Sequence, residues 1–192
     1  MKRLSRIIIL AVIITMGLAF GITAYRNTKL ADIPMNNKVV GATKNVVEST
    51  GQKVNASIGI GEGKSGDKVI IAVNFDETPL KGVDACDFKI KYDPAILEAS
   101  EVTFGDIVVG GKENFSAEIE TSTGVISFLF MDNTFGKQAI LKNGVFANIS
   151  FKLKKDIAKG NTPISLKSIG AFVDEALHEH KTSIKDGSIN IK

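Results

Sequence analysis

From residue 53 to the C-terminus, apolar and polar residues alternate along much of the chain. The alternation begins with Val54, Ala56, Ile58 and Ile60, which are separated by Asn, Ser and Gly. A period of two is typical of a β-strand that buries one face, because successive side chains point to opposite sides of the backbone. No part of this region has the 3.6-residue period of a long amphipathic helix. The pattern therefore predicts an all-β domain.

Turn-forming residues divide this region into separate strands, since Gly, Pro, Asn and Asp repeatedly interrupt the alternation. The segments between the interruptions predict long strands at 68–75, 83–92, 124–131 and 144–154, and short strands at 113–121, 164–167 and 184–191. Residues 94–101 and 138–142 are expected to hold a turn of helix at most. Many short strands with such turns indicate a two-sheet sandwich in one domain of ~140 residues, at 53–192.

The N-terminal segment has a different character. Three basic residues precede an uninterrupted apolar stretch at 7–24. A stretch of about 18 residues is near the lower limit for a membrane-spanning helix, and its basic flank favours the cytoplasmic side. We therefore predict a transmembrane signal anchor at 1–25 that holds the folded domain outside the cell membrane. The alternative is a signal peptide whose cleavage releases a secreted protein. Residues 26–52 are polar and aperiodic, which predicts a flexible linker.

Charge and composition narrow the classes of function. The formal net charge is +3, and 24 Lys and Arg residues are interspersed with 21 Asp and Glu residues. Nucleic-acid binding requires a basic patch, which the folded region lacks, so nucleic acid is not an expected partner. The single cysteine, Cys86, excludes an intrachain disulfide and a cysteine-based zinc cluster.

The residues available for catalysis or metal binding form no known motif. His178 and His180 are the only histidines, and their spacing places both on one face of an extended segment near Glu175 and Glu179. A metal site is one interpretation of this group, and an exposed loop is the simpler one. No serine lies in a nucleophile elbow, and no two carboxylates can be argued to face each other as in a glycosidase. We therefore expect no enzymatic activity, cofactor or metal.

A carbohydrate-binding module is the main alternative, because many such modules are β-sandwiches. Modules that bind extended glycans stack sugar rings on exposed Trp and Tyr side chains. This chain has no Trp, and its tyrosines are Tyr25, at the membrane boundary, and Tyr92, on a strand face assigned to the core. An aromatic platform is therefore difficult to build.

Two predicted strands carry an unusual set of residues on the face opposite the core. In 124–131, Val125, Leu129 and Met131 point away from the phenylalanine side chains, and in 83–92 the outward positions include Ala85 and Asp87. If these strands are neighbours, a partly apolar patch with a carboxylate lies outside a sheet. Exposed apolar patches often mark protein interfaces, and a loop that covers the patch is the other interpretation.

A series of short motifs, in this order, resembles the type I cohesin domain from about residue 53 to the C-terminus. The motifs are Gly66-Asp67-Lys68-Val69, Val73-Asn74-Phe75, Ala85-Cys86-Asp87-Phe88, Tyr92-Asp93-Pro94, Leu97-Glu98, Gly124-Val125-Ile126-Ser127-Phe128-Leu129-Phe130-Met131-Asp132-Asn133, Gly144-Val145-Phe146-Ala147-Asn148-Ile149, Gly170-Ala171-Phe172 and Asp186-Gly187-Ser188-Ile189. The segment at 124–133 is the strongest match.

The resemblance implies a nine-stranded jelly-roll sandwich that supports cellulosome assembly and polysaccharide degradation. Its expected partners are dockerins, which are small calcium-organised helix pairs on glycoside hydrolases that degrade plant cell walls. Calcium is therefore expected on the dockerin alone, and the cohesin-like domain is expected to be a monomer. Carried over by motif, the dockerin-binding positions are Ala85, Asp87, Leu129, Asp132, Gly136, Leu177 and Glu179.

Three features depart from the family pattern. Many cohesins have Asn at the position of Ala85, some have Tyr near Glu120, and the segment at 134–137 differs from the better-known members. These departures bear on which dockerin is bound. The resemblance implies Leu129 and Leu177 as apolar anchors, with Asp87, Asp132 and Glu179 as hydrogen-bond acceptors around them.

Overall fold

The computed structural model describes residues 52–192. The predicted membrane anchor at 1–25 and the predicted linker at 26–52, apart from Gln52, lie outside the described residues. Within 52–192, no helix combines the length and the apolar character needed to cross a membrane.

Eleven strands form two sheets, and the helical structure among residues 52–192 is one 3-10 turn at Gly111–Glu113. The strands are β1 (Lys53–Ile58), β2 (Ile60–Gly63), β3 (Lys68–Glu77), β4 (Ala85–Lys91), β5 (Leu97–Phe104), β6 (Phe115–Glu120), β7 (Val125–Met131), β8 (Gly144–Leu153), β9 (Gly160–Val173), β10 (Lys181–Lys185) and β11 (Gly187–Ile191). The first sheet has the order β10-β1-β3-β8-β5 and the second has the order β2-β11-β9-β4-β7-β6. The prediction of an all-β, two-sheet domain is confirmed.

The strand count differs from the expected nine because two extended segments each change sheets. β1 pairs in the first sheet and β2 in the second, with Gly59 between them. β10 and β11 divide in the same way at Asp186. The predicted strand at 184–191 is therefore two short strands, and eleven paired segments arise from nine extended ones.

Of residues 94–101, only 94–96 form the expected turn, in which the Leu97 N–H donates to the Asp93 carbonyl at 2.9 Å; the sequence analysis missed strand β5, which begins at Leu97. β5 is an edge strand, and a bulge between Ala99 and Glu101 breaks its pairing with β8. Glu and Ala have low β-propensity, and a bulge destroys the alternation by which a strand is identified. β9 is also much longer than the predicted 164–167.

Aromatic side chains from both sheets meet in one core. In the first sheet Phe75 stacks on Phe146, with ring centroids 4.9 Å apart. In the second sheet Phe88 stacks on Phe128 at 4.8 Å, and Phe88 lies 5.7 Å from Phe146 across the sandwich. This contact between the two inner faces fixes which side of β4 and β7 points outward.

Candidate protein-binding face

The outer face of the second sheet is centred on Leu129 and Asp87. These two residues lie opposite each other where β7 pairs with β4, and Ser116 of β6 lies on the other side of Leu129. Leu129 is partly buried, whereas its neighbours Phe128 and Phe130 are buried in the core. The two strands are therefore neighbours, and the assignment of their inner and outer sides from alternation is confirmed.

The exposed part of this face is smaller than the sequence suggested. Ala85 is only 5% exposed and lies between Met131 of β7 and Val173 of β9. Val125 is 3% exposed. Both residues point outward by strand alternation but are covered by their surroundings, so Leu129, Met131 and Asp87 supply the accessible centre.

Asp87 is held in place by an irregularity in β9. Cys86 and Phe88 pair with Phe172 and Ile169, so two residues of β9, Gly170 and Ala171, face Asp87 alone. The Ala171 N–H donates a 2.9 Å hydrogen bond to Oδ1 of Asp87. The carboxylate is thus an ordered acceptor, positioned by the extra residue of a β-bulge.

Gly170 allows the Asp87 carboxylate to lie against the backbone of β9. A methyl group built on Gly170 would overlap the carboxylate. Gly170 has no positive φ, so the glycine is needed for space and not for a left-handed backbone. Glycine within a strand is a general signal for a bulge or for a close approach.

Asp132 organises the loop that follows β7. Its Oδ1 accepts hydrogen bonds from the backbone N–H and the hydroxyl of Thr134, both at 2.6 Å, and its Oδ2 accepts one from the Gln138 N–H at 2.9 Å. The Asp132 N–H donates to the carbonyl of Asp84 at 2.7 Å. Asp132 therefore fixes the shape of the loop that carries Gly136.

Leu177 and Glu179 lie on a second loop, between β9 and β10, which Asp174 organises. Asp174 is 3% exposed, and its Oδ1 accepts hydrogen bonds from the Ala176 and His178 N–H groups, both at 2.9 Å. Leu177 is 50% exposed on this loop. Glu179 is exposed and forms an isolated bridge with Val173 at the end of β9.

The two loops touch each other beside the sheet. A methyl group on Gly136 would lie 2.9 Å from Oε2 of Glu175, which places the Glu175 side chain against the loop of Asp132. We call the connections at 78–84, 132–143 and 174–180 the loop end of the domain. The structure thus gathers the seven positions implied by the resemblance on the outer face and the adjoining loop end, with Ala85 covered.

Acidic groups at the loop end have opposite pKa shifts. Burial raises the pKa of Asp84 to about 6, and the nearby charges of Asp132, Glu175 and Asp174 add to this effect. Burial also acts to raise the pKa of Asp174, but hydrogen bonds from His178 and Ala176 and the charge of His178 lower it overall. Asp84 is consequently the carboxyl group whose ionised form the fold disfavours.

The two histidines have separate hydrogen-bond partners. Nδ1 of His178 lies 3.1 Å from Oδ2 of Asp174, and Nε2 of His180 lies 3.0 Å from the carbonyl oxygen of Gly82. Within residues 52–192 no group of three or more His, Cys, Asp or Glu side chains is arranged to hold a metal ion. Tyr92, which the sequence analysis assigned to the core, is 2% exposed.

Sequence reasoning missed several residues that shape this region. Asn114 is a buried hub, 5% exposed, that donates to the Val109 carbonyl at 3.0 Å and to Oε1 of Gln138 at 2.8 Å. Nothing in the local sequence distinguishes it from a turn residue. Asp174 was also missed, although Asp is a common turn former because its side chain accepts hydrogen bonds from the backbone two residues on, as it does here from Ala176. Phe135, on the loop of Asp132, is half exposed.

Comparison with known proteins relates this two-sheet domain to one family. A family model described as the Cohesin domain matches residues 54–191. The solved structure of a type I cohesin–dockerin complex from Clostridium thermocellum is similar, with 30% sequence identity and a TM-score of 0.71, and the match covers 73% of this chain and 100% of that chain.

Two curated relatives are also similar. The cellulose-binding protein A of Clostridium cellulovorans is 36% identical over 138 residues, which are 72% of this chain and 7% of the relative. The cellulosome-anchoring protein of Acetivibrio thermocellus is 29% identical over 192 residues, which are 100% of this chain and 38% of the relative. The chain therefore spans less than half the length of these relatives.

Proposed function

Because the chain belongs to the cohesin domain family, whose model matches residues 54–191, we propose that this domain binds dockerin modules of plant cell-wall-degrading glycoside hydrolases. The observation that carries the proposal is the pairing of Leu129 with Asp87 on an outer sheet face. A partly buried leucine beside an ordered carboxylate offers both an apolar anchor and an acceptor. The domain would act in cellulosome assembly and would catalyse no reaction itself.

The proposed mechanism is recognition by a surface that is already formed. Leu129 and Leu177 supply apolar contacts, and buried apolar anchors usually account for most of the binding energy at an interface. Asp87 and Asp132 are held by backbone donors before any partner arrives. An ionised carboxylate has about four acceptor positions, so each retains capacity for a partner. Glu179 is exposed beside them.

Calcium in this proposal belongs to the partner. Two calcium loops organise the dockerin helices, and Ca²⁺ prefers six to eight oxygen ligands. Removing calcium should unfold the dockerin and abolish binding while the melting temperature of the cohesin-family domain stays the same. The domain itself would act as a monomer without a cofactor.

The proposed location is the cell surface. The cellulosome-anchoring relative aligns over all 192 residues of this chain, and the basic flank with the apolar stretch at 7–24 favours a single-pass membrane anchor. Fractionation and external protease treatment of intact cells test this. Recovery of a chain that begins after Ala24 in the culture medium would replace the anchor with a cleaved signal peptide.

Direct binding is the decisive experiment. Purified full-length chain is titrated with a panel of recombinant type I dockerins in calcium and, separately, incubated with insoluble cellulose. We expect saturable 1:1 dockerin binding that EDTA reverses. Retention on cellulose without dockerin binding would support the carbohydrate-binding alternative and contradict the proposal.

A matched pair of variants locates the site. Leu129 lies on the outer face of the second sheet, and Ile70 of β3 is 67% exposed in the first sheet. Leu129→Ala should weaken dockerin binding by about tenfold or more, whereas Ile70→Ala should leave it unchanged. The reverse result would move the binding face to the other sheet.

A further inference from the structure

Two large apolar residues at the loop end have an unusual backbone conformation. Phe135 has φ 60° and Leu177 has φ 64°, and within residues 52–192 the other non-glycine residue with positive φ is Asp156. Bulky side chains seldom occupy this left-handed region, because the side chain crowds the backbone. Both side chains are nevertheless 50% exposed, so burial in the core does not explain their conformation.

Hydrogen bonds on each loop hold these two residues in place. Asp132 accepts bonds from residues on both sides of Phe135, at Thr134 and Gln138. The Leu177 N–H donates to the carbonyl of Asp174 at 2.8 Å. Strained backbone held by its surroundings occurs preferentially at functional sites, where the strain fixes a side chain before binding.

The two loops adjoin the outer face and together carry more carboxylates than lysines, because the 174–180 loop holds Asp174, Glu175 and Glu179. The Glu175 side chain lies against Gly136 of the other loop. The raised pKa of Asp84 reflects burial and the charges of three neighbouring carboxylates. Lys81 lies 3.8 Å from Asp174 and offsets part of this charge, as does the exposed Lys137. Glu179 extends the acidic border.

We propose that Phe135, together with Leu177, is a specificity-determining apolar anchor that selects dockerins presenting an aliphatic side chain next to a Lys or Arg. The proposal rests on the dockerin binding proposed above and extends that surface onto the loop end. Preformed apolar contacts would accept the aliphatic group, and the surrounding carboxylates would favour the adjacent cation. Dockerins with a polar or acidic residue against Phe135 and Leu177 would bind weakly, because that polar side chain would lose its water without gaining a hydrogen-bond partner.

The positive φ of Phe135 allows a test that removes its side chain without disturbing the fold. Phe135→Gly removes the side chain but suits the left-handed backbone, so its melting temperature should not fall. Phe135→Leu keeps an apolar group. Asp156→Gly is the matched control, because it makes the same kind of backbone change in the β8–β9 connection, away from the loop end. Each full-length variant is titrated with the same calcium-loaded dockerin panel.

We expect Phe135→Gly to lower the affinity for the tightest-bound dockerins by about tenfold. The differences in affinity among the dockerins of the panel should therefore become smaller. Phe135→Leu should stay within about threefold of the unsubstituted chain, and Asp156→Gly should bind as the unsubstituted chain does. Each position along the dockerin helices is also replaced by alanine, and the loss of binding is measured with the unsubstituted chain and with Phe135→Gly. Replacement of the aliphatic residue beside a Lys or Arg should weaken binding to the unsubstituted chain but not to Phe135→Gly. Replacements elsewhere should weaken binding to both equally.

The failure of this inference and the failure of dockerin binding give different results. If the unsubstituted chain binds dockerins and Phe135→Gly preserves both affinities and ranking, the specificity proposal is wrong and the proposed function stands. If the unsubstituted chain binds no dockerin of the panel, the proposed function is contradicted and the specificity proposal fails with it.

Discussion

Replacing Gly170 with alanine tests whether the Asp87 carboxylate is positioned by the bulge in β9. The added methyl group would overlap the carboxylate of Asp87. The carboxylate must then rotate away from the Ala171 N–H and lose the 2.9 Å hydrogen bond that it accepts from this group. The backbone of Gly170 has no positive φ, so alanine causes no conformational strain of its own. The whole effect of Gly170→Ala should therefore act through Asp87.

The expected magnitude follows from the lost hydrogen bond. A hydrogen bond to a charged group contributes about 1.5–3 kcal/mol to stability, and the partly exposed position of Asp87 favours the lower part of this range. Gly170→Ala should lower the free energy of unfolding by about 1–2 kcal/mol, and Asp87→Ala should lower it by a similar amount. In the double variant the overlap is absent, so its loss should equal that of Asp87→Ala alone.

Urea unfolding of the four proteins measures this coupling, provided that the m-values agree. The two single losses should exceed the loss in the double variant by about 1–2 kcal/mol. If the losses instead add within about 0.5 kcal/mol, the two sites are independent. Asp87 would then not be held by the bulge, and its place as an ordered acceptor on the outer face would be refuted.

Three further predictions concern the two faces of the second sheet, Asp84 at the loop end and the domain boundary at residue 53. Phe128→Ala should lower the free energy of unfolding by about 3–5 kcal/mol as a core truncation, whereas Leu129→Ala should change it by less than about 1 kcal/mol and act on dockerin binding; equal losses in calorimetry would contradict the assignment of the two faces. Asp84→Asn should stabilise the domain at pH 7 by about 1 kcal/mol after allowance for solvent screening. The pKa of Asp84 is raised from 3.8 to about 6, so its ionised form is unfavourable in the folded state. The gain in stability should therefore disappear as the pH falls from about 6 to below 3.8, because Asp84 becomes protonated in both the folded and the unfolded state. A gain that persists at pH 3 would point to another cause. Residues 53–192 expressed alone should give a monomer with one cooperative unfolding transition, and an aggregated product would show that the boundary is wrong.

The proposed face was largely predictable because strand alternation is a local property. Burial of Phe88 and Phe128 assigns the adjacent positions, Asp87 and Leu129, to the other side of their strands. This inference needs no knowledge of the rest of the chain, since the side-chain period of a strand is two. The two-sheet class followed in the same way from the number of short alternating segments.

Features that depend on contacts between distant segments were not predictable. Gly170 faces Asp87 only because β9 pairs with β4, which brings Ala171 to Asp87 across 84 residues of sequence. The division at Gly59 appears only when its flanking strands pair in different sheets. β5 was missed because a bulge and weak β-propensity hide its period.

The alternating sequence by itself determined which side chains of β4 and β7 enter the core, because backbone geometry imposes that choice residue by residue. The tertiary structure alone decided that Ala85 is covered by its neighbours and that Phe135 and Leu177 are held on adjoining loops. Ala85 is covered because β4 pairs with both β7 and β9, and the two loops adjoin only because those strands end side by side, although the hydrogen bonds that Asp132 and Asp174 accept lie within each loop.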